Sequence, residues 1–329
     1  MLKRWQFWLG AGISALCLVI ALRNLHLPDV WAAMRSAHYA WIVPGVAVYF
    51  LGVGARTWRW DYLLRPMKRI PLRRLFPVVV IGYMGNNVYP ARAGEVIRAY
   101  VLRRREGISM SASLATIVVE RVFDGLVMLM FVFVGLPFTP MPDWLQVMVV
   151  AASLLFFGAL AAFMTLAIKI EWAETVYGRL IERVAPARFR APLRGFADRF
   201  MTGLHSLRSG RGVLMLFVTS VVIWLAETVK YWFVMHAFDF SVPFWVLMLM
   251  NGIVNLATTI PSSPGYVGTF DAPGIEILSL FGVPRSLAAS YTLVLHAALW
   301  LPITLLGFWF MGRESVTWRE FAQAEKSLA

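Results

Sequence analysis

Residues 75 to 98 read LFPVVVIGYMGNNVYPARAGEVIR. The first part is apolar enough for hydrocarbon, whereas the second brings two asparagines, a proline, a glycine, two arginines and a glutamate, which lipid solvates poorly. As a helix, 75 to 88 is about 21 Å long, well short of the ~30 Å needed to cross a bilayer. A second apolar stretch, 244 to 260, reaches about 25 Å and ends in TTIPSSPG. Both are followed by a Pro/Gly-rich turn and a second short helix, predicted at 95 to 103 and 272 to 282. The pattern predicts two re-entrant hairpins that enter and leave on one side.

The rest of the chain is a membrane protein by composition: 329 residues, 59% hydrophobic and 15% charged. Six full spans are expected near 5 to 22, 39 to 55, 110 to 136, 144 to 168, 212 to 237 and 286 to 311. The first is read as an uncleaved span, because it exceeds a signal-peptide core and lacks a small-x-small cleavage site. With two hairpins and six spans, 25 of the 31 Lys and Arg fall on the cytoplasmic side, Arg56 and Arg59 among them. Three fall outside, and Arg92, Arg121 and Lys230 lie at membrane depth. A full crossing at 75 to 88 would throw Arg98 and Arg103 to Arg105 outside, against the positive-inside rule. The expected fold is thus an all-α polytopic membrane protein, one integral membrane domain with six transmembrane helices, two re-entrant hairpins and both termini cytoplasmic. Trp41, Trp58, Trp60, Trp144, Trp172, Trp245 and Trp309 fall near predicted span ends as an aromatic belt. The loop 169 to 211 reads as two amphipathic helices on an anionic leaflet, with Trp172, Val176, Leu180 and Val184 on one stripe and Phe196, Phe200, Leu204 and Leu207 on the other.

The halves repeat. Residues 39 to 136 and 212 to 311 share the order span, hairpin, Pro/Gly turn, short helix, long span, and GISMSASLA at 107 matches GVPRSLAAS at 282. Because the hairpins open to opposite sides, the repeats are inverted. Broken helices at corresponding positions of inverted halves point to a binding site at the repeat interface.

The candidate site follows from polar residues at that depth. Asn86, Asn87, Arg92, Glu95 and Arg98 cluster on the first hairpin, where a fixed cation and a helix N-terminus suit an anion; an Arg92–Glu95 salt bridge is the structural alternative. Glu120 and Asp124 share one helix face, with Arg121 about 100° round. Two acids and one base leave a carboxylate needing a partner, met by Arg92 or by a proton. Ser262, Ser263, Tyr266 and Asp271 sit on the second hairpin. Glu120, Asp124, Glu227, Lys230 and His296 are the candidates for proton coupling. No metalloprotease, P-loop or nucleophile-elbow motif occurs, the five histidines lack ligand spacing, and Cys17 reads as an inert apolar residue. No cofactor, metal or nucleic-acid partner is expected, and the expected reading is not an enzyme.

Asn86-x3-Pro-x-Arg-x-Gly-Glu-x2-Arg98, then Ser109, Ala112 and Glu120-Arg121-x2-Asp124, resemble the lysylphosphatidylglycerol synthase transmembrane family, the flippase-like UPF0104 membrane proteins. PSSPGYVGTFD is similar to that family's Pro-Gly-x2-Gly motif, with Asp271 where the family often has Glu. The resemblance implies a lipid flippase of the bacterial cytoplasmic membrane, moving an anionic, aminoacylated or polyprenyl-phosphate-linked lipid between leaflets. It also implies that lipid aminoacylation is absent, since the chain stops at Ala329 without the soluble transferase of bifunctional relatives. Its partners are then membrane lipids, with a lipid- or glycolipid-synthesising enzyme and a homo-oligomer as further candidates. The alternatives are a membrane-embedded lipid transferase or hydrolase, and a scaffold for a lipid synthase.

Overall fold

The computed structural model describes residues 5–22, 25–89, 92–139, 142–184, 186–260 and 262–313. Pro90, Pro261, Arg23 and both terminal segments, which the sequence reading used for turns and sidedness, lie outside them. Thirteen α-helices and no strand occur among the described residues. They are α1 (Trp5–Leu22), α2 (Leu27–Ser36), α3 (Ile42–Leu64), α4 (Leu72–Val88), α5 (Ala93–Glu106), α6 (Met110–Gly135), α7 (Asp143–Ile168), α8 (Ile170–Val184), α9 (Ala187–Gly203), α10 (Gly210–Met235), α11 (Phe244–Ala257), α12 (Asp271–Leu280) and α13 (Arg285–Arg313). Among the described residues, four helical segments are long and apolar enough to cross a membrane: Tyr39–Leu64, Asp143–Ile168, Gly210–Met235 and Arg285–Arg313. α6 is as long as α7, but Glu120, Arg121 and Asp124 interrupt its apolar sequence. α2 occupies what the sequence suggested was an outer loop, and it packs on α13 through a Ser290 hydroxyl bonded to the Val30 carbonyl at 3.0 Å.

The eight helices α3–α6 and α10–α13 pack in matching pairs. α3 lies against α10, α4 against α13 and α11 against α6, while α4–α5 and α11–α12 are hairpin pairs. Exchanging the two sets of four leaves these pairings unchanged. The close approaches match as well: a Cβ on Gly307 of α13 would stand 2.3 Å from Met84 of α4, and one on Gly252 of α11 would stand 2.8 Å from the Met128 carbonyl of α6. Small residues let helices approach where there is no hydrophobic gain from leaving lipid. Gly107 and Gly282, aligned in the sequence, both end short helices with positive φ, +74° and +81°, the left-handed conformation that glycine adopts without steric cost.

The 75–98 stretch does double back. Gly85 faces Gly94 and Gly82 faces Arg98, an antiparallel register in which α4 and α5 are nearly in backbone contact. A Cβ on Gly94 would fall 1.9 Å from the Gly82 carbonyl oxygen and 2.4 Å from the Asn86 nitrogen. Gly94 therefore closes the hairpin, and α5 begins one residue earlier, after Arg92 in the left-handed region (φ 53°).

The expected end of the second span at 55 is corrected. α3 continues to Leu64, and Arg56 and Arg59, assigned to a cytoplasmic loop, are buried inside the bundle with Trp60. Arg59 lies 3.5 Å from Glu120 and 2.6 Å from Asp124, and Arg98 lies 2.8 Å from Glu120 while its guanidinium covers the Trp60 ring. Trp60 donates to the Thr116 hydroxyl and belongs to the core, not to an interfacial belt. A helix carries these arginines through the interior because carboxylates on α6 compensate the desolvation of their charge.

The 169–211 segment forms α8 and α9, joined by a Tyr177 hydroxyl bonded to Asp198. Burial and the adjacent Asp198 carboxylate push the Tyr177 phenol up to about 12. Trp172, Val176 and Leu180 are exposed as one stripe. The second stripe is divided: Phe196 is exposed, whereas Leu204 and Leu207 are buried beyond the end of α9, where Gly203 approaches the Ala112 carbonyl of α6.

Gly94→Ala should lower stability by about 3 kcal/mol or prevent folding, because backbone lies on both sides of the new methyl. Gly54→Ala, which meets open space, should be near neutral; thermal unfolding in detergent compares the two. Arg59→Met should cost about 3–5 kcal/mol by leaving two buried carboxylates short of a cation. Recovery of stability in Arg59→Met/Asp124→Asn, read by the same assay, would trace the loss to unpaired charge.

Candidate functional site

A cavity of about 130 Å³ opens between the two sets of helices. From the first set it receives Tyr49 and Arg56 of α3, Tyr83, Asn86 and Asn87 of α4, Arg92 at the turn and Arg121 of α6. From the second it receives Trp224, Glu227 and Tyr231 of α10, Asn255 of α11, Thr258, Tyr266 and Phe270 of the following turn, and His296 and Trp300 of α13. The Asn87 amide donates to Thr304 at 2.8 Å and so fixes α4 on α13.

Each cavity arginine has a carboxylate partner. Arg56 lies 3.2 Å from Glu227, which Lys230 also engages, and its guanidinium stands 4.9 Å from the Trp224 ring centre. Arg121 lies 3.2 Å from Asp124 and 3.8 Å from Glu95. Arg92 donates to the Thr258 carbonyl at 3.0 Å, stands 5.7 Å from the Tyr266 ring centre and keeps Glu95 at 3.8 Å. Each guanidinium has five N–H groups. The Nε atoms of Arg92 and Arg121 and the Tyr83 hydroxyl have no hydrogen-bond partner among the described residues. Glu227 is the one carboxylate on the cavity wall among the described residues, and two cations already engage it.

Arg92 and Tyr266 are the two non-glycine residues with positive φ among the described residues, one on each turn, and they touch. His296 joins the second turn to α13. Its Nδ1 meets Asp271 at 2.8 Å and its Nε2 meets the Gly265 carbonyl at 2.7 Å. Asp271, the first residue of α12, in turn accepts from the Gly268 amide of the preceding turn at 2.8 Å. His296 and Arg121 each lie fourteen residues past the matched glycines 282 and 107, so the two sets place them at corresponding sites.

The expected residues thus divide. Asn86, Asn87, Arg92, Arg121, Tyr266, Glu227 and His296 line the cavity. Glu95 and Arg98 border a narrow crevice beside it with Arg121. Ser262 and Ser263 line a second cavity of about 110 Å³ that shares Asn86, Arg92, Thr258 and Tyr266 with the first, and Ser263 also binds Ser14 of α1 at 2.8 Å. Glu120 and Asp124 are buried behind the wall, Asp124 also accepting from the Trp224 indole at 2.9 Å. Their partners are Arg59, Arg98 and Arg121, and not Arg92, as expected. Lys230 is fully buried against the Tyr49 ring, off the wall. Arg56, Arg59, Tyr49, Tyr83 and Trp224 were missed. The available signal was the spacing of Tyr49, Val53, Arg56 and Trp60, one buried helical face that continues through the charges.

The sequence pattern described as the lysylphosphatidylglycerol synthase TM region matches residues 7–307. Two UPF0104 membrane proteins of Methanothermobacter thermautotrophicus are 22% and 26% identical to the chain. The first alignment covers 93% of this chain and 91% of the relative, the second 93% and 92%. Glycosyltransferase AglD of Haloferax volcanii is 26% identical over 90% of this chain but only 53% of its own length. With the match running through nearly all described helices, the chain belongs to the lysylphosphatidylglycerol synthase TM region family.

Proposed function

We propose that this membrane protein moves the headgroup of an anionic lipid between leaflets through the cavity between its hairpins. The observation that carries this reading is the convergence of Arg56, Arg92 and Arg121 on one cavity wall, each paired with a carboxylate, with the Nε atoms of Arg92 and Arg121 lacking a hydrogen-bond partner among the described residues. A guanidinium binds phosphate through paired N–H donors, and in a low-dielectric site such contacts strengthen. The acyl chains would stay in lipid while the headgroup passes.

The proposed topology has six spans, α1, α3, α6, α7, α10 and α13, with α4–α5 and α11–α12 as re-entrant hairpins of inverted repeats. The matched packing pairs and the antiparallel register of α4 and α5 support it. Both termini would be cytoplasmic, in a cytoplasmic membrane, with the exposed apolar stripe of α8 on the inner leaflet. Opposed hairpins meeting at Arg92 and Tyr266 could open the cavity to each side in turn. In this reading the chain transports and performs no bond chemistry.

Purified protein in vesicles containing fluorescent phosphatidylglycerol, phosphatidic acid or a polyprenyl phosphate should speed the loss of inner-leaflet protection from dithionite for at least one lipid. Arg92→Ala should slow that exchange at least tenfold with little change in melting temperature, since Arg92 is half-buried and loosely paired. Exchange no faster than in protein-free vesicles for every lipid, or unchanged in Arg92→Ala, contradicts the proposal.

A further inference from the structure

The charge of the ion-pair network limits what the cavity can hold. Salt bridges join Arg59, Arg92, Arg98 and Arg121 to Glu95, Glu120 and Asp124. A second cluster joins Arg56 and Lys230 to Glu227. Lys230 also stands 4.8 Å and 5.2 Å from the Tyr49 and Tyr231 ring centres, the environment of a charged ammonium. His296 and Asp271 form a third group. Both ring nitrogens of His296 face acceptors, so each contact needs a proton, and the pair is neutral whichever partner carries the shared one. Six cations therefore face four carboxylates. Two positive charges have no counter-charge among the described residues, in an interior where an uncompensated charge is costly.

Three of the six cations, Arg56, Arg92 and Arg121, line the cavity. Glu120 and Asp124 lie behind it, and Glu227 is doubly engaged, so the cavity offers donors from three guanidiniums and no free carboxylate. An ammonium-bearing, aminoacylated headgroup would meet like charge with nothing to pair it. A phosphodiester, with one negative charge, would leave half the surplus. A phosphomonoester near pH 7 carries up to two negative charges and three acceptor oxygens, which matches both the charge and the three arginines.

Building on the translocation reading, we infer that the cavity selects a dianionic phosphomonoester or diphosphate headgroup over phosphodiester and aminoacylated lipids. The same chemistry describes free phosphate, so the test separates the two sources. Binding to the full chain in a neutral detergent would be measured by calorimetry with four probes: phosphatidic acid, phosphatidylglycerol, lysyl-phosphatidylglycerol and inorganic phosphate. Phosphatidic acid should bind at least tenfold tighter than phosphatidylglycerol, lysyl-phosphatidylglycerol should bind more weakly still, and inorganic phosphate should compete with phosphatidic acid. Arg92→Gln, which halves the surplus, should reduce the preference for phosphatidic acid at least threefold. Phosphatidylglycerol or its lysyl ester binding as tightly as phosphatidic acid overturns the inference and leaves translocation standing. Phosphatidic acid that binds with this preference, while no lipid is moved in vesicles, supports the inference and overturns translocation. Inorganic phosphate binding more tightly than phosphatidic acid shifts the site to a soluble anion and overturns the lipid assignment.

Discussion

An ionised side chain taken out of water must be met by another charge, and the interior of this protein is organised around that requirement. Arg59 alone reaches Glu120, Asp124 and Ser220, tying α3 to α6 and α10. Each unpaired charge at membrane depth costs about 2.5–3.5 kcal/mol on insertion scales. The pairs therefore set which helices can neighbour one another. They also set what remains available, because after every carboxylate is engaged the Nε atoms of Arg92 and Arg121 still lack a partner among the described residues.

Geometry reinforces the electrostatics. The arginines can converge because α4 and α5 cross almost backbone to backbone at Gly85 and Gly94, which places Arg92 at the tip and Arg98 behind it. The matching close approaches of Gly307 on Met84 and Gly252 on Met128 draw α13 onto α4 and α11 onto α6. Had either pair of helices been held apart by side chains, Arg92 could not reach the Thr258 carbonyl across the interface. Packing by small residues and pairing by charge are thus two aspects of one constraint: polar backbone and side chains at this depth must be satisfied by protein.

Much of this was legible in the sequence, for physical reasons that can be stated residue by residue. Gly and Pro punctuation around 89–94 and 261–268 marks where helices stop, so the hairpins and the turn carrying Arg92 could be located. Glu120, Arg121 and Asp124 interrupt an otherwise apolar helix and so were found as a group, but the sequence put all three in the site, whereas only Arg121 lines the cavity and the two acids are buried behind it. What failed was the end of α3. Arg56 and Arg59 read as a loop because a charge is normally where a span stops, and the compensating carboxylates lie about 60 and 170 residues away in sequence. Long-range pairing leaves no local signature, so tyrosines and a tryptophan that complete the cavity were equally hidden. The second stripe of the 169–211 segment failed for a related reason: Leu204 and Leu207 look lipid-facing by period, and only the tertiary contacts of this segment with α6, α7 and α10 show that protein covers them.

The central claim is that Arg56, Arg92 and Arg121 together hold a phosphate headgroup. An experimental structure of the protein saturated with phosphatidic acid in a lipid nanodisc tests it most directly. The account predicts phosphate density in the cavity, with oxygens at about 3 Å from guanidinium nitrogens of at least two of the three arginines. Phosphate density confined to the outer surface of the bundle, with the cavity filled only by water or by side chains, would contradict it.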